Sequence, residues 1–503
     1  MEKKKKLSFP TAFTVLFIVL FLAAALTHFI NAGSYAKLQY NADDKIFVET
    51  HPDGSTEELK ATQATLDKLG IKNDIKKFTD GSINKPIAIP GTYEKVEANP
   101  QGVKEVILAP MAGIADSIDI ILFVFIIGGV VGVINYTGSI KSGIAALSRA
   151  TKGHEYILIV FVTALISLGG TTFGMAEETI AFYPIIIPIF LAAGYDAMVG
   201  IAAIYLGSCI GTMFSTVNPF CTVIASNAAG ISFTEGMNFR LVGLVLGTII
   251  VIAYIIRYAS KIKKDPTQSL IYDIKAHIEA KYADEEGTDA APLTLRGKLI
   301  LILFFLTFVV MIWGVSTQEW WFSEMTALFL ISGIIIGFIS GIGEKIFVDQ
   351  FIAGAADLMS VALIIGVARS INIILENGLI SDTILYGMSN AVAGMSPSIF
   401  VILMMFVFII LGFFISSSSG LAVLSIPIMA PLADSVGVPR DVIISCYMYG
   451  LGLISFITPT GLILASLSMV DVTYDKWLKF VMPLLGIITV FALGLLLVEV
   501  NFF

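Results

Sequence analysis

Apolar residues recur in windows of about 20, enough helix to cross the hydrocarbon core of a bilayer, near 119–137, 238–258, 298–316, 323–342, 357–376 and 479–498. An earlier run, Thr11 to Ile30, follows the lysine-rich start Met1 to Lys6. It exceeds the usual length of a signal-peptide core, so it reads as a first spanning helix anchored by cytoplasmic lysines. Two further regions, 155–232 and 397–470, are apolar but broken repeatedly by Gly, Pro, Ser, Thr and Asn. Each predicts a re-entrant hairpin followed by a broken helix. The stretch 31–103 carries turn signals such as His51-Pro52-Asp53-Gly54 and predicts a small extracytoplasmic insertion. The stretch 259–297, rich in Lys, Asp and Glu, reads as a solvated cytoplasmic linker with one helix near Ile271 to Tyr282.

The two interrupted regions match each other. A constant offset of 243 pairs Leu168 with Leu411, Gly169 with Gly412, Pro184 with Pro427, Pro188 with Pro431, Gly194 with Gly437 and Gly207 with Gly450. Upstream, Ala112-Gly113-Ile114-Ala115-Asp116 echoes Ala353-Gly354-Ala355-Ala356-Asp357, and Ile127-Gly128 echoes Ile365-Gly366. Positive charges fix the sense of the repeat. Lys141, Arg149 and Lys152, and later Arg257, Lys261, Lys263 and Lys264, belong inside, so the first interrupted region starts from the cytoplasm and the second from outside. This counts nine full crossings and two hairpins, an inverted repeat, a cytoplasmic N-terminus and an extracytoplasmic C-terminus. The expected units are 1–30 (first spanning helix), 31–103 (insertion), 104–258 (first repeat), 259–297 (linker) and 298–503 (second repeat).

Composition agrees with a multi-pass cell-membrane protein. Hydrophobic residues make up 56% and charged residues 14%, and mean hydropathy is +0.87, which excludes a soluble enzyme. A net charge of −8 argues against a nucleic-acid partner, whose binding rests on clustered Lys and Arg. Cys209, Cys221 and Cys446 all lie in apolar stretches and read as buried thiols. His28, His51, His154 and His277 show no metal-ligand spacing, and no nucleotide or nucleophile-elbow motif is present. No cofactor and no metal are therefore expected.

The polar turns inside apolar surroundings carry the candidate chemistry. The first hairpin tip runs from Gly169 to Thr179 and includes Thr171, Thr172, Gly174, Glu177, Glu178 and Thr179. Its partner contains Ser416, Ser417, Ser418, Ser419 and Gly420. The helix breaks are Ser215-Thr216-Val217-Asn218-Pro219 and Thr458-Pro459-Thr460-Gly461. Irregular backbone at membrane depth is tolerated only where protein or a water-lined cavity satisfies it. A broken helix offers amides to a carboxylate and carbonyls to a cation. Ordinary surface turns and plain proline kinks are the alternatives. Glu177 and Glu178 are the only adjacent acids in either interrupted region, and no Lys or Arg lies in the breaks to pair with them. A cationic ligand is the simplest partner. Arg369 reads as a scaffold residue or the partner of a carboxylate, and Asp116, Asp119 and Asp357 as acids at helix starts.

Ile89-Pro90-Gly91-Thr92-Tyr93, Asn99-Pro100-Gln101-Gly102, Gly169 to Thr179 and Ser215 to Phe220 resemble the YfcC branch of the C4-dicarboxylate anaerobic carrier-like family, within the ion transporter superfamily. The resemblance covers nearly the whole chain. It implies an all-α polytopic fold with an inverted repeat, two re-entrant hairpins and two broken helices, divided into a scaffold and a moving transport domain in a homodimer. The branch includes the arginine/ornithine exchangers of the arginine deiminase pathway. By that likeness the chain is expected to be a secondary active transporter, an antiporter exchanging arginine for ornithine by alternating access. Thr171 to Thr179 and Ser215 to Pro219 would line its site, with Ser416 to Gly420 and Thr458 to Gly461 opposite. The alternative is a Na⁺- or H⁺-coupled carrier of C4-dicarboxylates or other organic anions, and from another class a channel or membrane sensor.

Overall fold

The computed structural model describes the chain except residues 1–9, 72, 80–82, 84–85, 152, 283–292, 319, 393–394 and 503. The lysines expected to anchor the N-terminus, Lys152 and part of the linker lie outside the described residues.

Helix α1 (Ala12–Phe29) starts at Thr11, whose side chain caps it, and leads into an insertion carrying six strands. There β1 (Gly33–Ser34) pairs with β6 (Glu94–Lys95). Strands β2 (Lys37–Asn41), β3 (Ile46–Thr50), β4 (Thr56–Lys60) and β5 (Ile87–Ala88) form an antiparallel sheet in the order β4-β3-β2-β5. Leu38, Phe47, Leu66, Phe78 and Ile87 form its core. The chain is thus not helical throughout: alternation in Lys37-Leu38-Gln39-Tyr40 has the period of a strand, and burial alternates along Ile46–Thr50. The insertion is fastened to the helical body by Tyr35 N donating to Asp382 Oδ2 at 3.0 Å, by Lys77 Nζ donating to the Ile231 carbonyl at 2.8 Å, and by Tyr93 stacked on Tyr386 with centroids 4.1 Å apart.

The body contains two series of eight helices. The first is α2 (Val103–Asp116), α3 (Ile118–Tyr136), α4 (Ser139–Thr151), α5 (Tyr156–Thr172), α6 (Tyr183–Ala192), α7 (Ala197–Met213), α8 (Ile224–Ala229) and α9 (Met237–Lys264). After the connecting pair α10 (Leu295–Thr317) and α11 (Phe322–Ser340) comes the second: α12 (Glu344–Asp357), α13 (Met359–Asn377), α14 (Ser381–Val392), α15 (Pro397–Phe414), α16 (Ser418–Ser435), α17 (Arg440–Ser455), α18 (Ile463–Met469) and α19 (Tyr474–Phe502).

Packing between the series is reciprocal. Helix α2 packs on α13 while α12 packs on α3, and α5 packs on α7 as α15 packs on α17. The glycines explain how closely. A Cβ at Gly113 would sit 2.2 Å from the Gly366 carbonyl oxygen, and one at Gly128 would sit 2.6 Å from that of Gly354. The sequence repeat matches Gly113 with Gly354 and Gly128 with Gly366. Each glycine therefore meets the residue that the sequence repeat matches with the other.

Among the described residues, nine helices are long and apolar enough to cross a membrane. They are not the nine crossings expected above: both α15 and α16 are included, and α7 and α17, at 17 and 16 residues, are not. Outward faces stay apolar, as with Phe305 at 64% and Phe338 at 81% exposure, which is what lipid as solvent demands. The linker is less solvated than expected. Ile271 and Ile278 are buried, and Ser269 Oγ and Tyr258 OH donate to Asp196 Oδ2 at 2.6 and 2.8 Å. Asp116 and Asp357 close α2 and α12 rather than opening the next helices, and Asp116 is ion-paired with Arg369. Asp119 lies in the first turn of α3.

Candidate functional site

The first hairpin is α5, an irregular tip, a tight 3₁₀ segment at Glu177–Phe182, and α6. Gly174 turns the tip with φ +77°, a conformation that suits glycine. A Cβ there would also strike Asn218 Nδ2 at 2.8 Å. This close approach joins the tip to the first helix break. Thr171 Oγ1 lies 3.1 Å from Thr216 Oγ1 and accepts from Thr216 N at 2.9 Å, while Asn218 Nδ2 donates to the Gly170 carbonyl at 3.1 Å. Ser215 Oγ meets Thr222 Oγ1 at 2.6 Å and accepts from Asn218 N at 3.1 Å. Ser215 and Asn218 are fully buried, and their side chains hold the broken backbone together. Beyond the break the chain winds as a π-helical turn, Pro219–Val223, before α8.

The second tip reaches the same place. Ser418 Oγ donates to the Phe220 carbonyl at 3.3 Å, and Tyr447 OH donates to the Ser418 carbonyl at 2.7 Å. Ser417 caps α16 by accepting from Gly420 N at 3.2 Å, and Ser419 Oγ lies 3.5 Å from Ser417 Oγ. Ser416 Oγ accepts from Asn372 Nδ2 at 2.6 Å. In the second break, Thr458 Oγ1 and Thr460 Oγ1 bond each other at 2.7 Å and both residues are buried. The segment after that break, α18, packs against the 3₁₀ segment that begins at Glu177. Each hairpin therefore touches the helix that follows the other repeat's break.

The helices after the breaks have six and seven residues, so α16, with 18, presents the more developed positive end at the site. Glu178 is 8% exposed, and its Oε2 accepts from Ala176 N at 3.0 Å. Glu177 is partly exposed. Among the described residues, neither carboxylate is ion-paired, and no hydrogen bond joins either to Ser416–Ser419. Thr172 Oγ1 bonds its own helix at the Leu168 carbonyl, 2.7 Å away, and Thr179 Oγ1 bonds the Ala176 carbonyl at 2.6 Å.

Sequence reasoning missed several residues here. Asn372 bonds the second tip with Nδ2 while its buried Oδ1 has no partner among the described residues. Thr222, Tyr205 and Tyr447 also tie the breaks or tips together, Tyr205 through the Ser455 carbonyl at 2.7 Å. A polar residue inside an apolar helix was the signal available for Asn372. Farther off, Arg240 is fully buried beside Glu499 and Asp441, with Nη2 donating to the Glu235 carbonyl at 2.9 Å, while its Nε and Nη1 and Glu499 Oε2 have no hydrogen-bond partner among the described residues. Their positions, near the ends of three different helices, gave no pattern in the sequence.

Comparison with known proteins gives this geometry a context. The family model for the C4-dicarboxylate anaerobic carrier, DcuC, matches residues 9–501. A protein of Haemophilus influenzae with no described activity is 50% identical over 503 residues, 100% of this chain and 99% of that one. YfcC of Escherichia coli K12, provisionally named a basic amino acid antiporter, is 35% identical over 384 residues, 74% of this chain and 75% of that one. Among solved structures, Neisseria gonorrhoeae MtrF, of a class of antimetabolite efflux pumps, aligns over 98% of this chain and 96% of its own at 16% identity and a TM-score of 0.39, too distant to carry an argument. The match from residue 9 to 501 and the two curated relatives make this chain a membrane transporter that belongs to the C4-dicarboxylate anaerobic carrier (DcuC) family.

Proposed function

We propose that this transporter is an antiporter exchanging L-arginine for L-ornithine by alternating access. The observation that carries the reading is the adjacent pair Glu177 and Glu178 at a hairpin tip, with no cationic side chain paired to either among the described residues. An acid at membrane depth needs a partner, and a guanidinium or ammonium group supplies one. The α-carboxylate of the substrate would meet the serine-rich start of α16, whose amides and hydroxyls suit an anion. Thr171, Ser215, Asn218, Thr458 and Thr460 would shape the site by holding the broken backbone.

Arginine and ornithine each carry one net positive charge at neutral pH, so a one-for-one swap moves no charge. An empty carrier would have to take an uncompensated carboxylate through a low-dielectric barrier, which opposes uniport and enforces exchange. The provisional name of YfcC supports the substrate class. The proposal includes an inverted repeat around the two hairpins, a cytoplasmic N-terminus, an extracytoplasmic C-terminus and a homodimer. It is tested with purified protein in liposomes: those loaded with ornithine take up labelled arginine many times faster than empty ones, and equal rates would refute exchange.

The family description favours a second reading, a Na⁺- or H⁺-coupled carrier of C4-dicarboxylates. The absence of Lys and Arg from the four breaks counts against it. Succinate uptake that arginine does not inhibit would establish it in place of the first.

A further inference from the structure

We propose that the β3–β4 hairpin of the insertion binds one divalent transition-metal ion, of the Zn²⁺ type, through Glu49, His51 and Glu57. Glu49 is an acid on the core side of its strand. On β3, Phe47 and Glu49 share one face, and their β2 partners are Tyr40 and Leu38, so Glu49 lies on the side of the sheet that builds the insertion's core. It is 7% exposed and, among the described residues, its carboxylate makes no hydrogen bond. An acid held on this side of the sheet without a hydrogen bond is open to a cation.

Register makes the position worse. Glu49 stands directly opposite Glu57 on β4, and like charges so placed in an antiparallel pair are destabilising. The one group facing both is His51, with Nδ1 3.7 Å from Glu49 Oε1 and Nε2 3.7 Å from Glu57 Oε2. Both separations exceed a hydrogen bond. An imidazolium there would leave the cluster with a net charge of −1, whereas a divalent ion with neutral imidazole brings it to zero. One imidazole nitrogen and two carboxylate oxygens form a donor set suited to zinc, with water completing the shell.

The three ligand atoms lie within 4.8 Å of one another. Ligands in a tetrahedral site with bonds of ~2.1 Å are about 3.4 Å apart, so the side chains must close by roughly 1 Å. His51 and Glu57, with side chains 37% and 60% exposed, are free to do so. The histidine spacing gave no hint of this because the third ligand arrives from the facing strand.

The test uses full-length protein in detergent, stripped with a chelator and titrated with ZnCl₂ by calorimetry and thermal unfolding. Wild type is expected to bind one equivalent and to gain Tm. His51→Ala and Glu57→Gln, at exposed positions, are expected to bind at least tenfold more weakly while keeping the metal-free fold. Metal-free Glu57→Gln should melt above metal-free wild type because the like-charge pair is gone. Equal zinc affinity in wild type and His51→Ala, or no binding by wild type, would overturn the proposal. A Tm that rises on acidification but ignores zinc would also overturn it, making His51 a counter-ion instead.

Discussion

Glu177 and Glu178 are adjacent in sequence, but their carboxylates have different surroundings. Glu178 braces the tip through Ala176 N, whereas Glu177 is partly exposed and engages no cationic side chain among the described residues. Under the proposed exchange, Glu177 is the better placed to turn toward a cation. A hydrogen bond to a charged group is worth about 1.5–3 kcal/mol, so Glu177→Gln is expected to slow arginine counterflow roughly 10- to 100-fold with Tm unchanged, and Glu178→Gln to lower Tm as well. If both variants transported like wild type, the acids would have no part in binding. Outside the membrane, Glu155 offers a pH test. The Gly153 amide, donating to Oε1 at 2.9 Å, then the Glu155 backbone amide, and then Lys263, 3.0 Å from Oε2, hold its carboxyl down at about 2 against an ordinary 4.5. Above that ordinary value both folded and unfolded chains are ionised and the contribution to stability is complete. As pH falls toward 2 the unfolded chain takes up the proton first and the contribution is lost. Tm of wild type should therefore fall more steeply than that of Glu155→Gln below about pH 4.5, and parallel curves would refute the link.

At the scale of elements, the glycine crossings decide whether the helices can meet at all. Leucine at Gly113 would drive a side chain into the backbone of Gly366 and Ser370, which cannot move aside as a flexible side chain would. Overpacking of this kind costs about 1–3 kcal/mol, so Gly113→Leu is expected to lower Tm and the monodisperse yield. Gly486→Leu, with nothing within 4 Å of the added Cβ, should do neither. Equal behaviour of the two would mean that α2 and α13 do not cross as described. These elements also mark what could be read from sequence. Hydropathy and the spacing of Gly and Pro marked where the helices are interrupted, at 173–176, 214–218, 415–417 and 456–462, because backbone breakers are local signals. They could not give the crossing partner of Gly113, which depends on three-dimensional packing. The insertion sheet was missed because its two five-residue strands of alternating residues, β2 and β3, lie among turn-forming polar segments.

Over the whole molecule, two matched series of helices pack reciprocally, and the hairpin of each touches the segment after the other's break. The order of helices is similar in the two halves, while Asn372, Thr222 and the Arg240 cluster emerged only when distant helices were brought together. The insertion sits against α14 and the segment around α8, elements next to the tips, so any movement of the hairpins carries consequences for it. Under the proposed exchange, acids unpaired among the described residues and a serine-rich helix start take up a zwitterion bearing one extra positive charge and give one back. The most direct measurement follows labelled arginine entry and labelled ornithine exit together in liposomes, with and without an imposed potassium diffusion potential. The account predicts one ornithine released per arginine taken up, at a rate the potential does not change. Arginine entry without ornithine release, or a ratio that departs from one and shifts with the potential, would contradict it.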